Sequence, residues 1–418
     1  MLDRKTAPGH AEISSFKLPS PEIYGLSNGT PLIMLRGVNQ QVIKIELVFK
    51  AGKWFESKKG VSYFTTQMLE KGTSGKNSFE IADFLDRHGA SIEVSPGLDF
   101  VSISLFSLTK NISSVLPLFI ELVTSSVFPK EELMLQKEIF NQNLKINNEK
   151  TSYVASKLIR QHLFGNTHPY GMSIEETDVN QINREDLDNF FHKHFALAKA
   201  FAVGAIDDDL LKLLILHLSL IPSIEKQDLP QFLISQNESS EYIEKVNSVQ
   251  SSLRLGKRVI NRNHQDYPAL VFLNHIFGGY FGSRLMKNIR EEKGLTYGIY
   301  SSINNLRHDA FFVIAADVNR INKDIAISEI KNELDLLCNN LVGAQELQTA
   351  KNHLLGSLQL EIANPFSVIE KIKTIHLNEL DEDYYNNLFL DILDLNEFAL
   401  LEAANNHLTD KIIEVAVG

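Results

Sequence analysis

Apolar and polar residues alternate along Ala90-Ser-Ile-Glu-Val94 and Phe100-Val-Ser-Ile-Ser-Leu-Phe106, the two-residue period of strands with one face buried. Upstream, Val42-Ile-Lys-Ile-Glu-Leu-Val-Phe-Lys50 reads as a further strand. A little over two hundred residues later the corresponding strands of a second unit are Thr296-Tyr-Gly-Ile-Tyr-Ser-Ser302 and Ala310-Phe-Phe-Val-Ile-Ala-Ala316. Helical periodicity recurs as well. Residues 182–195 form an amphipathic helix leading into a strand at 198–204, and residues 395–404 form another leading into 411–418. Both units close on Val-Gly, so the chain reads as a duplication. Hairpin-like strand pairs joined by helices predict an α+β fold of two homologous domains in tandem, each an antiparallel-rich mixed sheet with helices packed on one face. Residues 223–246 mix Pro, Ser, Gln and Glu without periodicity and read as a surface linker, leaving residues 1–222 and 247–418 as the expected domains.

Composition narrows what such a chain can be. Its 418 residues exceed what one hydrophobic core usually holds, and 44% hydrophobic with 22% charged residues is the balance of ordinary folded domains. A formal charge of −11 excludes a broad nucleic-acid surface, while remaining compatible with a local basic cavity. The single Cys338 lies at helical spacing in an apolar run; it excludes an intrachain disulfide and a cysteine-rich metal site, and its expected role is core packing. No apolar run of signal-peptide or membrane-spanning length stands out, so a soluble cytoplasmic protein without membrane contact is expected.

Candidate chemistry begins at residues 60–73, Gly-Val-Ser-Tyr-Phe-Thr-Thr-Gln-Met-Leu-Glu-Lys-Gly-Thr, a helix that buries Phe64, Met68 and Leu69 and stops at glycine. Its frame resembles the His-x-x-Glu-His metal helix of the pitrilysin family of zinc peptidases. In that motif, imidazoles at i and i+4 share a face and grip one zinc while the Glu handles its water. Here those places hold Tyr63, Thr66 and Gln67, whose phenol, hydroxyl and amide bind zinc poorly. The downstream Phe164-Gly-Asn-Thr-His-Pro-Tyr-Gly171 and both halves of the duplication extend the resemblance to nearly the whole chain. It implies two halves facing each other as a half-clamshell. It also implies a third ligand position at Asn143 and an upstream acidic position at Gln136, both uncharged here. Among the 13 histidines there is no His-x-x-x-His pair, His192 and His194 point to different sides of a helix, and His168 reads as a hydrogen-bonded turn residue. No zinc is therefore expected on this chain, and no activity in isolation.

The second half keeps its signal. In Phe277-Gly-Gly-Tyr-Phe-Gly-Ser-Arg-Leu-Met-Lys-Asn-Ile-Arg-Glu-Glu-Lys-Gly-Leu-Thr-Tyr-Gly-Ile-Tyr300, Gly278, Gly279 and Gly282 permit close backbone approach, Ser283 is placed to cap a charged helix, and Gly294 ends it. A solvated helix face would explain Arg290 and a half-buried strand would explain Tyr297. The family resemblance implies more, since an Arg and a Tyr seven residues apart reach the substrate near the zinc of the other half. Two-chain members divide the labour between a zinc-bearing subunit and one that carries only the Arg and Tyr. The expected function is thus the non-catalytic subunit of a heterodimeric zinc metalloendopeptidase, with zinc and general base on a homologous partner chain and a peptide as substrate. An inert scaffold or a peptide-binding homodimer of the same fold is the competing expectation.

Overall fold

The computed structural model describes residues 15–37, 40–223 and 229–418; the first fourteen residues, residues 38–39 and residues 224–228 of the expected linker lie outside them. The first half supplies β1 (Glu22–Gly25), β2 (Pro31–Leu35), β3 (Val42–Phe49), β4 (Ser91–Pro96), β5 (Val101–Leu108) and β6 (Leu197–Gly204), in one sheet ordered β1-β2-β6-β3-β5-β4. The second supplies β7 (Glu241–Ile243), β8 (Gln250–Arg258), β9 (Thr296–Asn305), β10 (Ala310–Asn319) and β11 (Ile413–Val417), ordered β7-β11-β8-β10-β9. With β1 set aside, the two orders correspond strand for strand. The parallel pairs correspond too, β2 with β6 and β7 with β11. The repeated Val-Gly ending therefore marks a repeated topology.

One boundary shifts. Residues 223–246, expected as linker, contain β7, the counterpart of β2, so the second sheet begins inside that stretch. Three strand residues among polar neighbours offer too little alternation to register as a period.

Ile43, Ile45, Leu47 and Phe49 are fully buried on one face of β3, in a core shared with Phe64, Val115, Phe119, Leu187 and Leu214 from the first half's helices. Each such side chain contributes roughly 1.5–3 kcal/mol by leaving water. The other face of that sheet, through Ile33, Leu35, Val48, Phe201 and Val203, packs on Val368, Ile369 and Ile372 of the second half's helix Pro365–Asn378. Reciprocally, Ala155, Ile159 and Leu163 of the first half's helix Thr151–Phe164 join Ile413, Val415 and Val417 of β11. The expected layers of sheet and helix are present, and each half additionally lends one helix to the other's sheet. Strands apolar on both faces require a cover on both. Cys338 is buried in the second core, as its spacing predicts.

Candidate functional site

The helix at the degenerate motif spans Val61–Gln67, followed by a tight turn at Leu69–Lys71. Its first turn is capped by Glu56, whose Oε1 accepts the N–H groups of Gly60 and Ser62, both at 3.1 Å. Burial pushes the Glu56 pKa up, against those N–H groups and the nearby Lys53 ammonium. Gly60 adopts φ +91, a left-handed conformation that costs glycine little.

Two of the motif positions, Tyr63 and Thr66, serve local packing or hydrogen bonding. Thr66 is fully buried and its hydroxyl donates to the Ser62 carbonyl at 2.7 Å, so it is tied to its own helix. The Tyr63 ring packs edge-on to Phe140 at 5.0 Å and to Phe64 at 5.3 Å, and burial raises the pKa of its phenol. Phe140 lies on the helix Lys130–Glu149, which also carries Gln136 and Asn143. Gln67 is half-buried, while Asn143 is exposed. The motif helix and the third-ligand helix thus meet through aromatic contacts. Phe140 was not singled out in the sequence, although its place one turn before Asn143 could have signalled it.

These residues do not fit a zinc ion: they offer no imidazole, thiolate or carboxylate at the motif positions. Among the described residues, His264, Asp266 and His407 form the one cluster with ligand-like spacing. There His407 Nε2 donates to Asp266 Oδ2 at 2.8 Å and His264 Nδ1 accepts the Asp266 N–H at 3.1 Å, so the donors are engaged within the protein. Elemental analysis of the purified chain is expected to find far less than one zinc per chain. One zinc per chain, retained in a His407→Ala variant and lost on changing Tyr63 or Gln67, would overturn this account of the motif helix.

In the second half, Arg290 sits in a π-helical turn, Met286–Glu292, and Tyr297 on β9, the edge strand of its sheet. Gly294, at φ +59, turns the chain back between them. Arg290 Nε then donates to the Tyr297 carbonyl at 3.0 Å, and the guanidinium lies 4.9 Å from the Phe281 ring centroid. The Tyr297 side chain is left 94% exposed. Gly278 is needed for close approach, since a Cβ there would stand 2.6 Å from the backbone nitrogen of Ser301. Ser283 departs from expectation: its hydroxyl is buried without a hydrogen-bond partner, and only its carbonyl serves the following turn, by accepting the Lys287 N–H. Arg290 and Tyr297 are thus brought together, whereas among the described residues no hydrogen bond, ion pair or ring contact joins either to Tyr63, Thr66, Gln67 or Asn143.

His168 shapes its turn as expected, accepting the Tyr170 N–H at 3.2 Å. Burial lowers its pKa. It belongs to an aromatic cluster centred on Trp54, with Tyr170, Phe232 and His308 at 4.8–5.3 Å. The cluster joins the first half, the stretch after residue 228 and the β9–β10 turn.

Residues 33–178 match the family described as Insulinase (Peptidase family M16), and residues 181–354 match the Peptidase M16 inactive domain. The chain is 27% identical over 322 residues to the non-peptidase homolog YmxG of Helicobacter pylori, covering 75% of this chain and 74% of that protein. It is 23% identical to the uncharacterized zinc protease YmxG of Bacillus subtilis, over 83% of this chain and 86% of that one. A peptidase M16 inactive domain from Pseudomonas fluorescens superposes with a TM-score of 0.86 at 24% identity, covering 95% of this chain and 98% of that structure. No helix among the described residues is long and apolar enough to cross a membrane. With both halves matched in sequence and the fold shared, this chain belongs to peptidase family M16.

Proposed function

We propose that this chain is the non-catalytic subunit of a two-chain zinc endopeptidase. It would shape part of the peptide chamber and present Arg290 and Tyr297 to a zinc site carried by a homologous partner. The observation that supports this reading is the contrast between the two candidate groups. Tyr63 and Thr66 are absorbed into packing, whereas the Tyr297 phenol stands in solvent beside a guanidinium that its own backbone holds. A fully exposed tyrosine contributes little to this chain's own fold and leaves its phenol open to a partner or a peptide. Guanidinium can hold a peptide carbonyl or carboxylate with fixed donors, and a phenol can donate to an oxyanion formed at a neighbouring metal.

Mixing the purified chain with a zinc-bearing M16 homologue from the same cell tests the proposal. Peptide hydrolysis is expected from the mixture and not from this chain alone, together with a stable one-to-one complex. The name of the Helicobacter pylori relative, a non-peptidase homolog, supports the second reading, an inert scaffold or peptide-binding homodimer. Self-association with peptide affinity, and no gain in hydrolysis on adding any zinc-bearing homologue, would establish that reading in place of the first.

A further inference from the structure

Away from both groups, a cavity of about 320 Å³ opens where the two halves meet. Its first-half wall comes from neighbouring strands: Lys50 follows β3, Lys199 lies in β6 opposite Val48, and Phe100 precedes β5. The second half contributes Arg307, from the turn between β9 and β10, and Glu379, at the end of the helix Pro365–Asn378. Arg307 is fixed in place. Its two terminal nitrogens donate to the Leu377 carbonyl and, at 2.9 Å, to Glu379 Oε1, and its guanidinium lies 5.1 Å from the Phe100 ring centroid. Glu379 holds φ +56, uncommon for a residue with a side chain.

The charges in this cavity are unbalanced. The ammonium groups of Lys50 and Lys199 have no hydrogen bond or ion pair with any described residue, although both side chains are partly buried. Burial lowers the Lys199 pKa; Glu379 opposes that shift, and Arg307 and Lys50 add to it. Asp99 lines a smaller adjoining hollow with Lys50, Phe100 and Arg307, but it accepts the Tyr170 hydroxyl at 2.7 Å and the Arg307 N–H. Among the residues lining the main cavity, three cations face the one carboxylate of Glu379, a surplus of two positive charges that Asp99 in the adjoining hollow reduces to one, in a chain whose total is −11. Unpaired ammonium groups in a partly desolvated recess are unfavourable unless an anion joins them.

We propose that this cavity binds a phosphate dianion, either free phosphate or the phosphate-monoester end of a small molecule, between Lys50, Lys199 and Arg307 with Phe100 as an apolar wall. The ammonium groups of Lys50 and Lys199 each lack a carboxylate partner, and one phosphate can meet both at once. Both ammonium groups have all their N–H donors available, and charge-assisted hydrogen bonds to phosphate are the strong class. Because the cations come from both halves, the ligand would bridge them. This site is independent of the peptidase reading.

Calorimetric titration of the full chain with inorganic phosphate, and in parallel with glycerol 3-phosphate, tests it in low-salt buffer free of other oxyanions. Saturable binding is expected, weakened roughly tenfold or more in Lys50→Gln and in Lys199→Gln, as loss of one charge-assisted contact implies. Thermal unfolding supplies the second measurement. Without added anion Lys199→Gln should melt at or above the wild-type temperature, because a repulsion is removed; with phosphate the wild type should gain more than the variant. Tighter binding of glycerol 3-phosphate than of phosphate would identify a small-molecule ester as the ligand class, and the reverse order would identify free phosphate. Absence of saturable binding by either anion, binding by both variants as tight as that of the wild type, or a Lys199→Gln chain that melts lower in anion-free buffer would overturn the assignment.

Discussion

Replacing Glu46 with alanine should lower the stability of this protein by about 3–5 kcal/mol, the usual result of removing one partner from a buried ion pair. Glu46 is 4% exposed in the middle of β3, on the face covered by the exchanged helix Pro365–Asn378. Its two oxygens accept Lys44 Nζ at 2.8 Å and Lys373 Nζ at 2.7 Å, and Glu370 contacts the same two ammonium groups at 2.6 and 2.5 Å. The four charges close a ring between sheet and helix. Without Glu46, two largely buried ammonium groups would share Glu370 alone. Because that acceptor remains, the lower end of the range is expected. The urea midpoint of the chain measures the effect; a shift equivalent to less than about 0.5 kcal/mol, the size of an ordinary surface change, would remove the ring from the account of helix docking. The double variant Glu46→Leu/Lys373→Met should recover much of the loss, since an apolar pair of similar volume can replace a buried ion pair.

The pH dependence of that ring follows from its carboxylate partner. Burial raises the pKa of Glu370, but hydrogen bonds from Lys373 and Lys44 outweigh it and hold the group below its ordinary value. A depressed folded-state pKa stabilises above the unfolded value, near 4.3, and that contribution is lost as pH falls through the folded value. Lys44 is displaced upward: burial opposes its charge, but Glu46 and Glu370 more than compensate. Its contribution is complete below the unfolded lysine value, near 10.4, and fades as pH rises past the folded one. Wild-type stability should therefore fall as pH drops below about 4, and the fall should be smaller in a Glu370→Gln variant.

Much of this arrangement was legible along the chain, and the exceptions share a cause. The alternation in residues 100–106, the apolar run at 310–316 and the repeated Val-Gly endings disclosed the strands and the duplication, because all are local signals. An amphipathic helix declares that it has an apolar face without declaring which sheet that face covers. The exchange of Thr151–Phe164 and Pro365–Asn378 between halves was consequently invisible. Tyr63 could be read as a lost ligand, but not as the ring that packs on Phe140 across two helices. The cation cavity is assembled from Lys50, Lys199 and Arg307, residues far apart along the chain with no motif to connect them. Arg290 and Tyr297 stand between these cases. Their spacing was visible, whereas the hydrogen bond that makes them a unit depends on the glycine turn at Gly294.

In a reconstituted two-chain peptidase, the Arg290→Ala/Tyr297→Phe double variant is expected to lower kcat/KM by about a hundredfold or more, with little loss of fold. The two halves of that statement rest on different observations. The Tyr297 side chain is 94% exposed, so removal of its hydroxyl should change stability by less than about 0.5 kcal/mol. Arg290 gives up a hydrogen bond to the Tyr297 carbonyl and a contact with the exposed Phe281 ring, together worth about 1–2 kcal/mol. Loss of one donor to a developing oxyanion, in contrast, typically lowers kcat by about 10²–10³. The single variants should then separate by role. Tyr297→Phe should act mainly on kcat if the phenol serves the transition state, whereas Arg290→Ala should act mainly on KM if the guanidinium holds the bound peptide. Arg290→Lys should restore little, because a compact ammonium cannot both reach the Tyr297 carbonyl and present a planar fork to substrate. If both variants assemble with the zinc-bearing partner and hydrolyse peptide as fast as the wild type, the exposed pair has no catalytic part and the chain serves as scaffold. If they fail to assemble, the pair belongs to the interface instead, and the kinetic role assigned to it is wrong.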